Sequence, residues 1–232
     1  MDIISEQIKI HSEICKRADK LTNGKVGPIT DGIYVTKEGA EFYSNSHSKI
    51  MWILKEPWED GEKVGDWDLL RCMNEPDNIK KVSGNRTWNF MAKTMYGIVT
   101  GTYYDEMPST NEEIIKYLKE IVYINISKLP GKMRSNDSEI RKAFSDWKDI
   151  IFEQIDTYSP DVIIFGGTFK YFKVDIGILK EVDRTIDETT KIETPLYKNE
   201  KGLYLIDTYH PAYLYKDVRI NSIIDLVRNN IK

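Results

Sequence analysis

Four short apolar runs of this sequence end in polar or flexible residues. These endings are Lys-Glu-Pro-Trp (55–58), Asn125, Gly-Gly-Thr (166–168) and Tyr-His-Pro (209–211). They offer a carboxylate and an imidazole, which can transfer protons, and an amide, which presents a donor and an acceptor side by side. They also offer a glycine turn with accessible backbone. If the four endings converge, they form a site for one small ligand.

Each of these groups also has a purely structural alternative. Glu56 before a proline can cap the next turn, and His210 can hydrogen-bond a neighbouring backbone carbonyl. Asn125 can satisfy loop backbone, as asparagine often does. The pair Gly166-Gly167 can serve only as the entry turn of a helix, or it can hold a phosphate on its free N–H groups.

The apolar runs that carry these endings are typical of strands buried on both faces. They cover residues 49–55, 120–126, 161–167 and 203–211, and helical patterns lie between them. This alternation predicts an α/β fold: a three-layer α/β/α sandwich around a central, mainly parallel four-stranded sheet. We expect a single domain over 1–232, with an N-terminal helical extension at about 1–24. In such a sheet the ligand crevice lies beyond the carboxyl ends of the strands.

The charge balance restricts how this chain can bind nucleic acid. Its net charge is −4 over 232 residues, whereas affinity for a phosphate backbone comes from lysine and arginine. A DNA contact must therefore be local, and two basic stretches are candidates, unless they are ordinary solvated faces. They are Lys80, Lys81, Arg86 and Lys93, and then Lys128, Lys132, Arg134, Arg141 and Lys142.

Cysteine content and hydropathy exclude several other classes. Cys15 and Cys72 form no CxxC pair, which disfavours a disulfide framework, a zinc finger or an iron–sulfur cluster. The sequence shows no secretory signal, and its apolar stretches fall short of the roughly 18 residues that cross a bilayer. We expect a cytoplasmic monomer with no membrane partner, no metal and no cofactor.

Taken in order, the four endings resemble the motifs of the uracil-DNA glycosylase superfamily. The matching segments read ILKEPW, YINISK, SPDVIIFGG and TYHPAY, and the resemblance spans roughly residues 49–215. It implies an enzyme that flips a base out of DNA and hydrolyses its N-glycosidic bond. Such cleavage develops positive charge on the sugar and negative charge on the departing base. The site therefore needs an anion near the sugar and a hydrogen-bond donor near the base.

The resemblance also implies roles for single residues. Glu56 occupies the position that is Asp or Asn in active members, where it activates water and stabilises the cationic sugar, and His210 donates to the base oxygen. Asn125 reads the edge of the flipped base. Trp67 is expected to stack on the base, and Trp58 is the alternative stacking residue. The structural alternative for Trp67 is a position in the hydrophobic core. The expected DNA contacts are Lys55, Lys128, Gly166, Gly167, Thr168, Pro211 and Tyr213.

The sequence departs from this family in ways that leave other functions open. Leu54-Lys55 replaces the usual glycine-containing start of the first motif, and Ala212-Tyr213 follows the His-Pro pair where serine is common. A modified base is therefore an alternative to uracil, in DNA repair or in defence against phages with modified DNA. A second hypothesis is a non-catalytic nucleic-acid or nucleotide binding module on the same fold. A Schiff-base role for Lys55 and a metal-assisted hydrolase using Glu56, Glu59, Asp60 and His210 are weaker alternatives, since no HxH or HExxH spacing supports the latter.

Overall fold

The computed structural model describes residues 2–34, 36–46, 48–57, 59, 65–73, 78–131 and 136–231. Its α-helices are α1 (Ile3–Thr22), α2 (Lys37–Asn45), α3 (Leu69–Met73), α4 (Asn78–Gly84), α5 (Arg86–Thr100), α6 (Glu112–Lys116), α7 (Asp137–Tyr158), α8 (Phe169–Phe172) and α9 (Lys216–Asn230). Two 3₁₀ helices cover Tyr104–Glu106 and Tyr117–Glu120. Its strands are β1 (Ile29–Thr30), β2 (Ile50–Leu54), β3 (Trp67–Asp68), β4 (Ile121–Asn125), β5 (Val162–Gly166), β6 (Leu179–Ile186), β7 (Glu193–Asn199) and β8 (Tyr204–Thr208).

The central sheet has six strands in the order β4-β2-β5-β8-β7-β6. The first four are parallel to one another, and β7 and β6 complete the sheet as an antiparallel pair. The mixed α/β class and the mostly parallel sheet are thus confirmed, and each predicted strand is present. The predicted total of four strands is wrong, because the segment between β5 and β8 folds into two more.

Alternate residues of the parallel strands feed two hydrophobic cores, one on each face of the sheet. Ile50, Trp52 and Leu54 of β2 join the core that α5 and α9 cover. Met51 and Ile53 point the other way, into the core that α1 and α7 cover. With helices on both faces, every residue of β2, β4 and β5 is buried, which is why these strands appear in the sequence as continuous apolar runs.

The predicted N-terminal helix is confirmed as α1. Asp2 caps its start by accepting from the N–H of Ile4, and Asn23 ends it in the left-handed conformation. The helix packs along α7, and Arg17 forms an ion pair with Asp149 there. Its buried Gln7 exchanges two hydrogen bonds with the backbone of Ile33. The helix therefore secures the segment that leads toward β2.

Candidate functional site

The order of the parallel strands points to a ligand site beside the end of β2. From β2 the chain adds β4 on one side and then β5 on the other, so the direction of strand addition reverses between β2 and β5. In open α/β sheets, ligands bind beyond the carboxyl ends of the strands at such a reversal. Residues 55–57 and 166–168 therefore border the candidate site.

A row of four residues crosses the sheet at these strand ends. Asn125 pairs with Leu54, and Gly166 pairs with Thr208. The Leu54 side chain lies directly over Gly166, where an added Cβ would come within 2.2 Å of it. Neighbouring strands lie about 4.8 Å apart, so the backbones of Asn125 and Gly166 are about 10 Å apart. One side chain, that of Leu54, separates the amide from the glycine turn.

The side-chain amide of Asn125 is fully buried, and neither of its polar atoms has a hydrogen-bond partner among the described residues. The phenol of Tyr123, two residues earlier on the same face, lies near it without meeting hydrogen-bond geometry. The backbone N–H of Asn125 is held by the Oδ2 atom of Asp31 at 2.7 Å. The backbone at Asn125 is thus fixed in place, and the donor and acceptor of its buried amide are left without a partner among the described residues.

His210 follows β8 and turns back over the glycine turn. A Cβ on Gly166 would lie 3.7 Å from the Cα of His210, and one on Gly167 would lie 3.6 Å from its backbone N. Burial, together with the charges of Lys55 and Arg219, lowers the pKa of His210 to about 4. The imidazole is therefore neutral at pH 7. Its Nδ1 accepts from the N–H of Ala212 at 3.2 Å, which places the ring proton on Nε2 as a donor.

Arg219 organises the His-Pro loop, a role that the sequence analysis missed. Its fully buried guanidinium donates five hydrogen bonds to carbonyl oxygens of residues 209–214, at 2.7 to 3.2 Å. It also lies over the ring of Phe90, 4.6 Å from the centroid. The fork of donors in one arginine suits such an array. The only sequence signal was a lone arginine in the first turn of the helix after the loop.

Glu56 lies where the loops after β2 and β4 meet. The N–H of Gly131 donates to the carbonyl of Pro57 at 2.8 Å, and the N–H of Ser127 donates to the carbonyl of Lys55 at 2.9 Å. The half-buried Glu56 side chain packs on Gly131, where any Cβ would come within 2.3 Å of it. Glycine leaves room for this close approach of the Glu56 side chain.

Lys55 lies at the other side of the crevice, beside the glycine turn. Its Cε would be 3.9 Å from a Cβ on Gly167, and its charge contributes to the low pKa of His210. The structure therefore brings Lys55, the glycine turn and His210 together, with Asn125 in the same row. The chemical roles assigned to Glu56, His210 and Asn125 stay predictions.

Trp67 belongs to β3, which pairs with β1 beside the main sheet. Its ring packs against the core on the Asn125 face of the sheet, and its Nε1 donates to Glu59 at 3.1 Å. The ring is half-buried, so both the stacking and the core interpretations remain open. Trp58, the alternative stacking residue, lies outside the described residues.

The structure corrects the predicted DNA contact of Lys128. This side chain is fully buried, and its ammonium donates to Asp31 at 2.7 and 2.9 Å and to Gln154 at 2.8 Å. All three of its protons are used, and burial lowers its pKa. Because Asp31 also holds the backbone of Asn125, the ion pair is a support of the candidate site and not a surface charge.

Thr168 and the glycine turn also have structural partners. The Thr168 hydroxyl is buried and donates to the carbonyl of Ile53 at 2.6 Å. The N–H of Gly167 donates to the carbonyls of Thr208 and Phe165, at 2.7 and 3.0 Å. Gly167 needs its positive φ of 73° for this turn. The predicted phosphate contacts of Thr168 and the Gly167 N–H are therefore corrected, and Gly166 provides close approach for the His-Pro loop.

The remaining predicted DNA contacts lie in the His-Pro loop itself. Pro211 is buried, while Tyr213 is 53% exposed and stacks on Tyr209 with 4.9 Å between ring centroids. Tyr213 is thus placed at the surface beside His210, where a nucleic acid can reach it.

The two basic stretches differ in their surroundings. In the second, Arg141 and Lys142 pair with Asp137 and Asp146 on their own helix, and Lys132 and Arg134 lie outside the described residues. In the first, Lys80, Lys81 and Arg86 are exposed on α4 and α5. Lys93 is buried against the ring of Tyr104 at 4.6 Å, and burial lowers its pKa. The first stretch is therefore the better source of positive surface charge.

Among the described residues, no three His, Cys, Asp or Glu side chains cluster as metal ligands would. Asp60 of the metal-assisted alternative lies outside those residues. The described helices include none with the length and apolar character that crossing a bilayer requires. Comparison with known proteins matched no protein-family model and no curated protein sequence.

Proposed function

We propose that this chain is a metal-independent DNA glycosylase that hydrolyses the N-glycosidic bond of a flipped uracil or modified base. The observation that carries the proposal is a pair of groups at the strand-end crevice. The buried Asn125 amide has no partner among the described residues, and His210 presents a neutral Nε2–H. An amide that matches a base edge and a donor for the departing base are what this chemistry needs.

The roles follow from where charge develops. As the bond to C1′ breaks, the base gains negative charge, and the Nε2–H of His210 donates to its oxygen. The neighbouring Lys55 ammonium favours the same anion. Glu56 is the carboxylate that stabilises the cationic sugar and orients the attacking water. Asn125 binds the base edge, and Trp67 or Trp58 stacks on its face.

Uracil itself is one of several candidate bases, because the first motif is altered. We propose a role in DNA repair, or in defence against phages whose DNA carries modified bases. The direct test uses oligonucleotides that contain uracil, hypoxanthine, hydroxymethylated or glucosylated bases, in single- and double-stranded form. Alkali cleavage of the product strand then reports abasic sites.

Variants test the assigned residues on whichever base is excised. Removing a donor aimed at developing charge lowers kcat by about 10²–10³-fold, so we expect this loss for His210→Ala. Glu56→Gln should lose about 10²–10⁴-fold. Glu38→Gln, an exposed change of the same type on α2, is the matched control and should retain the full rate. Full rates for both Glu56→Gln and His210→Ala would disprove the assigned roles.

The alternative is a non-catalytic nucleic-acid binding module on the same fold. The observation that favours it is the longer acid at position 56, whose side chain is confined against Gly131. Binding of one modified oligonucleotide over the others, with no abasic product at any enzyme concentration, would support this alternative.

A further inference from the structure

Two clefts flank the His-Pro loop, one on each side. The first, of about 360 Å³, lies between the start of α5 and the loop, and Arg86, Asn89, Lys216 and residues 211–215 line it. The second, of about 280 Å³, lies toward β7, and Lys170, Glu193 and Asp207 are among its lining residues. The loop is therefore a ridge between two grooves.

The two clefts have opposite charge. Arg86 and Lys216 supply two exposed cations to the first cleft, and none of its described lining residues is acidic. In the second cleft Lys170 is paired with Asp137 and Glu193 with Arg184, so the carboxylate of Asp207 is the remaining charge among the described lining residues. Burial raises the pKa of Asp207 only to about 6, so it is charged at pH 7. A polyanion is attracted to the first cleft and repelled by the second.

The ridge between them is aromatic and exposed. Tyr209 and Tyr213 are 49% and 53% exposed and stack at an interplanar angle of 19°. Leu214 and Tyr215 are 63% and 50% exposed, and Tyr215 has a positive φ of 55°. Such backbone is strained for a tyrosine. Because Arg219 holds the loop carbonyls, these rings stay presented to solvent.

Exposed aromatic rings beside a cationic groove suit unpaired bases. Every unpaired base offers a face that can stack on tyrosine, whereas the faces in a duplex are covered by neighbouring base pairs. We propose that the His-Pro ridge and the cationic cleft bind a single-stranded stretch of DNA. Its phosphates lie toward Arg86 and Lys216, and its bases stack on Tyr209 and Tyr213. This inference rests on the proposed function, for which it names the form of the substrate.

The test measures binding without excision. A fluorescent oligothymidylate of about 20 nucleotides, longer than the roughly 4–16 nucleotides of typical single-strand sites, is titrated by anisotropy beside its duplex with oligodeoxyadenylate. We expect tighter binding of the single strand. Tyr213→Ala should weaken it about tenfold, a typical contribution of one stacked base. Phe42→Ala is the control, because Phe42 is 46% exposed on α2, which precedes the amino-terminal end of β2.

Salt dependence tests the two cations separately. Each phosphate contact that is lost should reduce the slope of log affinity against log salt by about 0.7 for a single strand. Arg86→Ala and Lys216→Ala should each show this reduction. Lys180→Ala, the same loss of charge on the remote strand β6, should not.

Several results would overturn the inference. These are equal or tighter binding of the duplex, equal effects of Tyr213→Ala and Phe42→Ala, unchanged salt slopes, or tighter binding of the matching RNA. The readout is independent of the proposed function. If no base is excised but the single strand binds as described, the glycosylase proposal fails and this inference stands. If a base is excised while these variants bind normally, the glycosylase proposal stands and this inference fails.

Discussion

Replacing Arg219 by methionine should uncouple the His-Pro loop from the rest of the fold. The change keeps a long apolar stem over Phe90 but removes all five hydrogen bonds to the carbonyls of residues 209–214. The loop then has to find other partners for those carbonyls, most of which lie beside exposed residues and can turn to water.

The loss of global stability should be modest for so many bonds. A hydrogen bond to a charged group contributes roughly 1.5–3 kcal/mol. Against this, burial lowers the pKa of Arg219 from 12.5 to about 10, which corresponds to about 3 kcal/mol against the charged form. Water also replaces part of what the carbonyls lose. We expect the free energy of unfolding in urea to fall by about 3–5 kcal/mol, well below the sum of the five separate bonds.

The same substitution should also raise the pKa of the His210 imidazole. Its pKa is about 4 because the ring is buried and lies near the cations Lys55 and Arg219. In Arg219→Met one cation is gone and the loop loosens, so the pKa should rise toward 6.5. NMR titration of the ring nitrogens measures this directly. The chain has three histidines, and His210→Gln identifies the signal.

The pH dependence of stability gives a second readout of the same change. With Arg219 present, His210 binds a proton below about pH 6.5 in the unfolded chain, but only below about pH 4 in the folded chain. Stability from this group is therefore lost as pH falls through that window. The loss should shrink in Arg219→Met. Arg228→Met is the control. Arg228 lies at the far end of α9 and donates to the carbonyl of Ile98, so the loss of stability at low pH should not shrink in this variant. A His210 pKa still near 4, with unchanged excision, would refute a positioning role for Arg219.

Three further changes test other parts of the site. Asn125→Leu removes a buried amide that has no partner among the described residues, so the free energy of unfolding in urea should rise by about 1 kcal/mol while base binding is lost. Lys128→Met leaves Asp31 buried and unpaired and should cost about 3–5 kcal/mol in the same assay, with the added change Asp31→Asn restoring most of it. Burial raises the pKa of Asp207 from 3.8 to about 6 and so disfavours its charged form. Asp207→Asn should therefore stabilise the protein by up to about 2–3 kcal/mol above pH 6, and it should have no effect below pH 3.8. Urea titrations at pH 3.5 and pH 7.5 check this.

Sequence patterns predicted the parallel strands well because of how those strands are buried. Every residue of β2, β4 and β5 lies in a core, and such burial leaves a run of apolar side chains that polar loops interrupt. The polar residues after each run could therefore be read directly as the carboxyl-terminal edge of the sheet. This is why Asn125 and His210 were found.

The same reasoning failed where burial is partial or partners are distant. Strand β6 has charged residues on both faces and no fully buried apolar residue, so its sequence pattern is typical of a loop. Lys128 resembled a surface cation because its partner Asp31 lies 97 residues away.

The unpaired polar atoms show where the fold departs from its own best packing. Among the described residues, six buried side-chain atoms have no hydrogen-bond partner: two belong to Asn125, and one each to Trp52, Thr208, Thr185 and Thr194. The last two face each other across β6 and β7. The other four lie on β2, β4 and β8, on the face of the sheet that leads to the crevice. Each such atom costs about 1–3 kcal/mol when left unpaired. The fold pairs buried groups as distant in sequence as Lys128 and Asp31 but leaves the Asn125 amide without a partner among the described residues. Under the proposed function, we expect bound DNA to complete the hydrogen bonds of Asn125 first.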